Sequence, residues 1–222
     1  MIRNTFFMLA STTMRFINGV LLFLIMARFW GPETFGVFMY PYVLAGIIVI
    51  LVDYGFNLQL VRDVGRNRQD AHRLTCQALI VKTFLVIAVA VAGFPFFILL
   101  KSFDGYRLLT ALLLLDFILN SYGLVFNLTF RGMGYFDKEA IIAFWSSIFT
   151  FLLISGLVYL GQGPVAVAFG FVVSKTFFLG LSWFIYKRLL KTAKFIYPAM
   201  ADVFKMLYKG FPFAAHVALG TL

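Results

Sequence analysis

Apolar residues fall into six long runs, at residues 5–29, 37–60, 78–100, 108–130, 140–160 and 164–186, separated by short polar breaks. A helix needs roughly 20 mostly apolar residues to cross a bilayer's hydrocarbon core. The pattern therefore predicts an all-α polytopic membrane protein, a bundle of six transmembrane helices. A further apolar run begins at Gly210-Phe211-Pro212 and reaches only to Leu222, which is 13 residues (222 − 210 + 1) and too few to cross alone. It is expected to be the start of a seventh helix, which makes the chain read as a fragment. Between the sixth and seventh runs, residues 198–209 read as amphipathic. Val203, Phe204, Met206 and Leu207 are apolar, while Asp202, Lys205 and Lys209 are polar, and the expected place is flat on the inner leaflet. The domains expected are thus a six-helix unit at 1–197, a connector at 198–209 and a truncated helix at 210–222.

The first break is Trp30-Gly31-Pro32-Glu33-Thr34-Phe35-Gly36. Gly31-Pro32 stops one helix, and Pro32 is suited to start the next. So short a connection predicts that the two flanking helices are antiparallel neighbours. Orientation follows from Lys and Arg, which concentrate on the cytoplasmic side. With the N-terminus inside, fourteen of the 19 lie on the inner side, three (Arg28, Lys101, Arg107) on the outer side, and Arg15 and Lys175 within spans. Lys82, counted inside, lies near the start of the third run and is expected to snorkel to the interface. Tyr106, Tyr159, Trp183 and Tyr186 fall where an aromatic belt would sit.

Composition supports the membrane reading: 62% of the 222 residues are hydrophobic, 13% are charged, and mean hydropathy is +0.95. Soluble domains are about 45–50% apolar and about 25% charged. The net charge of +10 is explained by topology, so no nucleic-acid partner is expected. Cys76 is the only cysteine, and His72 and His216 are far apart, so neither a disulfide nor a metal site is expected. No GxxxxGK[ST] loop occurs, and no cofactor is implied. The outer loops are short and hold only Glu33 and Asp104 as acids. That speaks against a membrane enzyme of glycan assembly, which needs catalytic groups in a sizeable loop.

Four ionisable residues fall within the spans: Arg15, Asp53, Asp116 and Lys175. Each costs about 2.5–3.5 kcal/mol at a helix centre, so together they should face one another or a wet cavity. Residues advance about 100° along a helix. Ser11, Arg15 and Asn18 then share one face. So do Gly46, Asp53 and Asn57; Asp116, Asn120, Gly123 and Asn127; and Lys175, Ser182 and Tyr186. One polar stripe can be interhelical glue; four suggest a hydrated interior. Structural alternatives stay open. Asp53 can pair with Arg62 or cap a break at Gly55, Arg15 can pair with Asp53 and Lys175 with Asp116, and Asn120 and Asn127 can bond neighbouring helices.

The Gly31–Gly36 turn and Asp53-Tyr54-Gly55 resemble the first helical pair of Wzx-type polysaccharide and O-antigen flippases. Arg3-Asn4, Arg131-Gly132-Met133-Gly134 and Lys209-Gly210-Phe211-Pro212 extend the resemblance along the chain. Those flippases belong to the multidrug/oligosaccharidyl-lipid/polysaccharide exporter superfamily, with 12–14 helices in two lobes around a central cavity. The resemblance implies that this chain is a first lobe in the bacterial cytoplasmic membrane. Its substrate would be an undecaprenyl-diphosphate-linked oligosaccharide, moved by alternating access. A second lobe or second copy, and polysaccharide polymerase or assembly proteins, are the implied partners. By the same resemblance, Arg15 and Lys175 would meet the diphosphate, and Asn18, Asn120 and Asn127 would bond sugar hydroxyls. Asp53 or Asp116 would carry a coupling ion, as intramembrane carboxylates do in transporters. The alternatives within the superfamily are a drug or cation exporter and a lipid II flippase.

Overall fold

The computed structural model describes residues 2–53, 56–99 and 106–190. The connector at 198–209, the run at 210–222, Gly55, Lys101 and Asp104 lie outside them. The described residues are helical throughout, apart from short turns, in the order α1 (Ile2–Asp53), α2 (Phe56–Arg66), a 3₁₀ turn (Arg68–Asp70), α3 (Ala71–Leu99), α4 (Arg107–Met133), α5 (Phe136–Tyr159) and α6 (Pro164–Leu190). Among them, α1, α3, α4, α5 and α6 are long and apolar enough to cross a membrane.

α1 is two helices joined at a kink. Gly31 has φ 72° and ψ 173°, a conformation open essentially to glycine alone, and Pro32 follows it. On a straight helix Phe23 and Tyr42 would stand about 28 Å apart, yet their rings are 5.3 Å apart, edge to face. The chain therefore folds back at Gly31 into two antiparallel arms, residues 2–30 and 32–53, as the Gly-Pro turn predicts.

Two boundaries differ from the sequence reading. Helical structure continues past residue 60 to Arg66, because Leu60 and Val64 of α2 are buried against the bundle. α3 begins at Ala71 rather than 78, since Ala71, Thr75, Cys76 and Gln77 are buried. α2 can approach α4 closely because Gly132 has no side chain. A Cβ built there would lie 2.8 Å from Val64 Cβ and 3.0 Å from the Val61 carbonyl oxygen. Gly132→Ala is expected to cost about 1–3 kcal/mol through this overpacking, a loss of several degrees in melting temperature. Gly156→Ala, where a new Cβ meets nothing within 4 Å, should lose nothing in the same melt.

Side chains pack into two apolar cores. One gathers Leu60, Val64, Val81, Phe126, Phe130, Met133 and Ile142 at one end of the bundle. The other gathers Leu22, Met26, Phe38, Leu113, Ile154 and Val167 at the opposite end. Around both, Phe16, Ile50, Phe84, Ile87, Leu152 and Phe184 are exposed. In water so much exposed apolar surface would drive association; in hydrocarbon it is the proper exterior. Of the four residues expected in an aromatic belt, Tyr106, Tyr159 and Trp183 are exposed, but Tyr186 is buried, its hydroxyl 2.8 Å from His72 Nδ1.

Candidate functional site

Between the two apolar cores lies a polar layer. Asn120 is the central residue of α4, 13 residues from Arg107 and 13 from Met133 (120 − 107 and 133 − 120). Ser147 is 11 residues from the start and 12 from the end of α5 (147 − 136 and 159 − 147). Lys175 is near the middle of α6. Together with Arg15 and Asn18 of the first arm of α1, these residues line a cavity of about 280 Å³. Ser146, Thr150 and Tyr42 complete its polar wall, and Leu22, Phe171 and Phe178 its apolar one. With polar groups on its wall, a cavity of this size has room for several waters.

Its charges are held from different helices. Lys175 Nζ donates to Asn120 Oδ1 at 3.2 Å, which fixes the ammonium across the α4–α6 seam. Asn18 Nδ2 donates to the Ser147 carbonyl at 3.1 Å, tying α1 to α5 at mid-depth. Arg15 reaches from the cavity toward Glu139, with Nη2 3.7 Å from Oε1. Among the described residues six buried side-chain atoms lack a hydrogen-bond partner; Arg15 Nη2 and Asn18 Oδ1 belong to the cavity's lining residues, Asp116 Oδ1 lies one turn from Asn120, and the others are on Gln59, Asn127 and Ser155. Unsatisfied buried polar atoms are rare and mark places where water or a ligand is received.

Of the seven residues singled out in the sequence, four (Arg15, Asn18, Asn120, Lys175) converge on this cavity. Asn127 does not line it. Its amide donates to the Gly123 carbonyl at 3.1 Å and to Ser182 Oγ at 3.2 Å, so it joins α4 to α6. Asp53 does not line it either; its partner is Lys82, whose ammonium is 2.9 Å from Asp53 Oδ1. Asp116 is buried one helical turn from Asn120 and is not among the lining residues.

Lys82 corrects the snorkelling expectation. It is 1% exposed and spends three hydrogen bonds inward, on Asp53 Oδ1, the Ser121 carbonyl (2.9 Å) and Ser121 Oγ (2.7 Å). Ser121 Oγ also donates to Asp53, closing a triad between α1, α3 and α4. The reason is the earlier start of α3, which places Lys82 11 residues inside it (82 − 71). Glu139 escaped the sequence reading because it stands one residue before the fifth apolar run. It is 1% exposed and is held by both Nε and Nη2 of Arg131. The signal available was an acid in the first turn of a span, facing Arg131 across the glycine turn. Gly134, at φ 85°, makes that turn tight and caps α4.

No curated protein and no solved structure matches the chain. The sequence profile of a family described as Polysaccharide biosynthesis protein matches residues 1–222, the whole chain. This multi-pass membrane protein, with its polar layer at mid-depth, therefore belongs to the polysaccharide biosynthesis protein family, that of the Wzx-type flippases which its turns resemble.

Proposed function

We propose that the chain is a flippase lobe that carries an undecaprenyl-diphosphate-linked oligosaccharide, an O-antigen or other surface repeat unit, across the bacterial cytoplasmic membrane. One observation carries the reading: a mid-depth cavity lined by two cations, Arg15 and Lys175, and by no carboxylate. A cation exporter would need the opposite charge. A diphosphate has it, and a cavity set at half-depth is where an alternating-access carrier keeps its site. In this reading Arg15 and Lys175 receive the diphosphate, and Asn18 and Asn120 bond the first sugar. Asp116, with one oxygen unpaired, is the coupling-ion residue, since Asp53 is committed to Lys82. No bond is made or broken, so the lobe acts as a carrier rather than an enzyme.

A volume of about 280 Å³ falls just short of the roughly 300–1,000 Å³ of sites that enclose drug-sized ligands. It takes the diphosphate and a first sugar; the rest of the glycan requires a second lobe or a second copy facing it. The arms of α1 count as two spans here, giving six, and the basic ends of α2 and α6 face the cytoplasm with the N-terminus. Polymerase and assembly proteins would act on the delivered product.

Arg15→Gln and Lys175→Gln each remove one charge-assisted bond to phosphate, worth about 1.5–3 kcal/mol. Each is expected to lower surface-glycan export, and the affinity of the purified protein for inorganic pyrophosphate, by about ten- to a hundredfold. Unchanged export and unchanged pyrophosphate binding in the double variant would sink the proposal.

A further inference from the structure

A lipid-linked glycan has two ends of opposite chemistry, and the cavity suits only one of them. Outside it, on the seam between the first arm of α1 and α5, runs an apolar groove of about 370 Å³, bordered by Met14, Ile17, Phe151 and Leu152. A second groove of about 280 Å³ continues it past Ala10, Ala140, Phe144 and Trp145. Met14 borders both grooves, so they form one track. Asn18 and Ser147 border both the upper groove and the polar cavity. Their hydrogen bond, at 3.1 Å, is the sill between an apolar exterior channel and a cationic interior one.

We infer that this seam is the binding groove for the polyprenyl chain of the substrate, a site distinct from the headgroup cavity. The inference rests on the cavity being the diphosphate site. Three further observations favour this occupant. The track meets the polar cavity at mid-depth, at Asn18 and Ser147, where a chain attached to a diphosphate must leave it. Arg15 follows Met14 directly, so the cation stands beside the groove. The seam is also asymmetric along its length. At the far end Trp30 Nε1 donates to the Gln162 carbonyl at 3.2 Å, and the Phe29 and Tyr159 rings meet at 6.2 Å. The seam is thus clasped at its outer end and grooved from there down to the inner leaflet, where the substrate is loaded. An apolar cavity of about 150 Å³ holds one benzene. By that measure the two grooves together take about five isoprene units.

The test uses the whole chain in vesicles of phosphatidylethanolamine and phosphatidylglycerol, with a polyprenyl diphosphate carrying a photoreactive group in its tail. Adducts are expected at Met14, Ile17 or Leu152, about fivefold or more above those at Ile87, which is exposed on α3. Unlabelled polyprenyl diphosphate should suppress them; added phosphatidylglycerol should not. Ile148→Trp and Leu152→Trp, which fill the groove, are expected to weaken polyprenyl diphosphate binding about tenfold. Both should leave inorganic pyrophosphate binding as it was, and Ile87→Trp should change neither. Adducts spread evenly over the exterior, equal competition by phosphatidylglycerol, or full polyprenyl diphosphate affinity in both groove variants would overturn the inference. Groove adducts in a protein that does not bind pyrophosphate would support the groove while refuting the cavity as headgroup site.

Discussion

Lys82→Met is expected to destabilise the folded protein by about 3 kcal/mol, the low end of the cost of removing one partner from a buried ion pair, because Asp53 is about one quarter exposed. The methionine fills much the same space, so lost packing contributes little. What remains is Asp53 without its cation and Ser121 without its two bonds from the ammonium. The triad also joins three helices, so its loss loosens α1, α3 and α4 together. A drop in melting temperature on the order of 10 °C is expected. Cys76 provides the readout, because it is the only thiol in the chain and is 2% exposed. It should alkylate only as the bundle opens, and at a lower temperature in the variant. Adding Asp53→Asn removes the orphaned charge and is expected to recover much of the loss. A variant melting like the wild type would mean that the ammonium is hydrated and the triad contributes nothing.

Glu139→Gln is expected to move two properties in opposite directions. Arg131 holds the carboxylate with two hydrogen bonds, and Arg15 shares it at 3.7 Å. Neutralising it leaves two arginines without their common counter-charge. About 3 kcal/mol of stability should be lost, at the low end for a broken buried pair because Arg131 is about one quarter exposed. Arg15, however, no longer divides its attraction between Glu139 and the cavity. Pyrophosphate affinity is therefore expected to rise about tenfold as the melting temperature falls. General misfolding would lower both. Affinity that falls per folded molecule, measured well below the melting transition, would show that Glu139 holds Arg15 in its binding position rather than competing for it.

The helical pattern made the cavity's outline legible before any coordinates. Ser11, Arg15 and Asn18 repeat at helical spacing, and so do Asp116 and Asn120. A charge in hydrocarbon has few places to point, and Arg15 and Lys175 do face one polar space. The turn at Gly31 was equally legible, because Gly-Pro leaves the backbone little choice. The partners were not. Which residue of α3 meets Asp53 depends on how far one helix slides past another, and the apolar runs fix their lengths only loosely. α3 begins seven residues before its apolar run (78 − 71), which carried Lys82 from the interface to the interior. Glu139 sat one residue outside a run and was counted as loop. Asn127 shares a helical face with Asn120, yet two turns along the helix it is past the cavity and within reach of Ser182.

The two apolar cores above and below the polar layer also make the bundle an electrical insulator. A cell that stores energy as an ion gradient cannot tolerate a continuous file of water through its membrane. Leu22, Met26, Phe38 and Ile154 cap the layer at one end, and Val81, Phe126, Phe130 and Ile142 at the other. Protons and sodium ions entering the layer find no aqueous exit through the far core. Abundant protein should therefore leave the resting conductance of a bilayer as it was, and the lobe can be wet at its centre without being a leak.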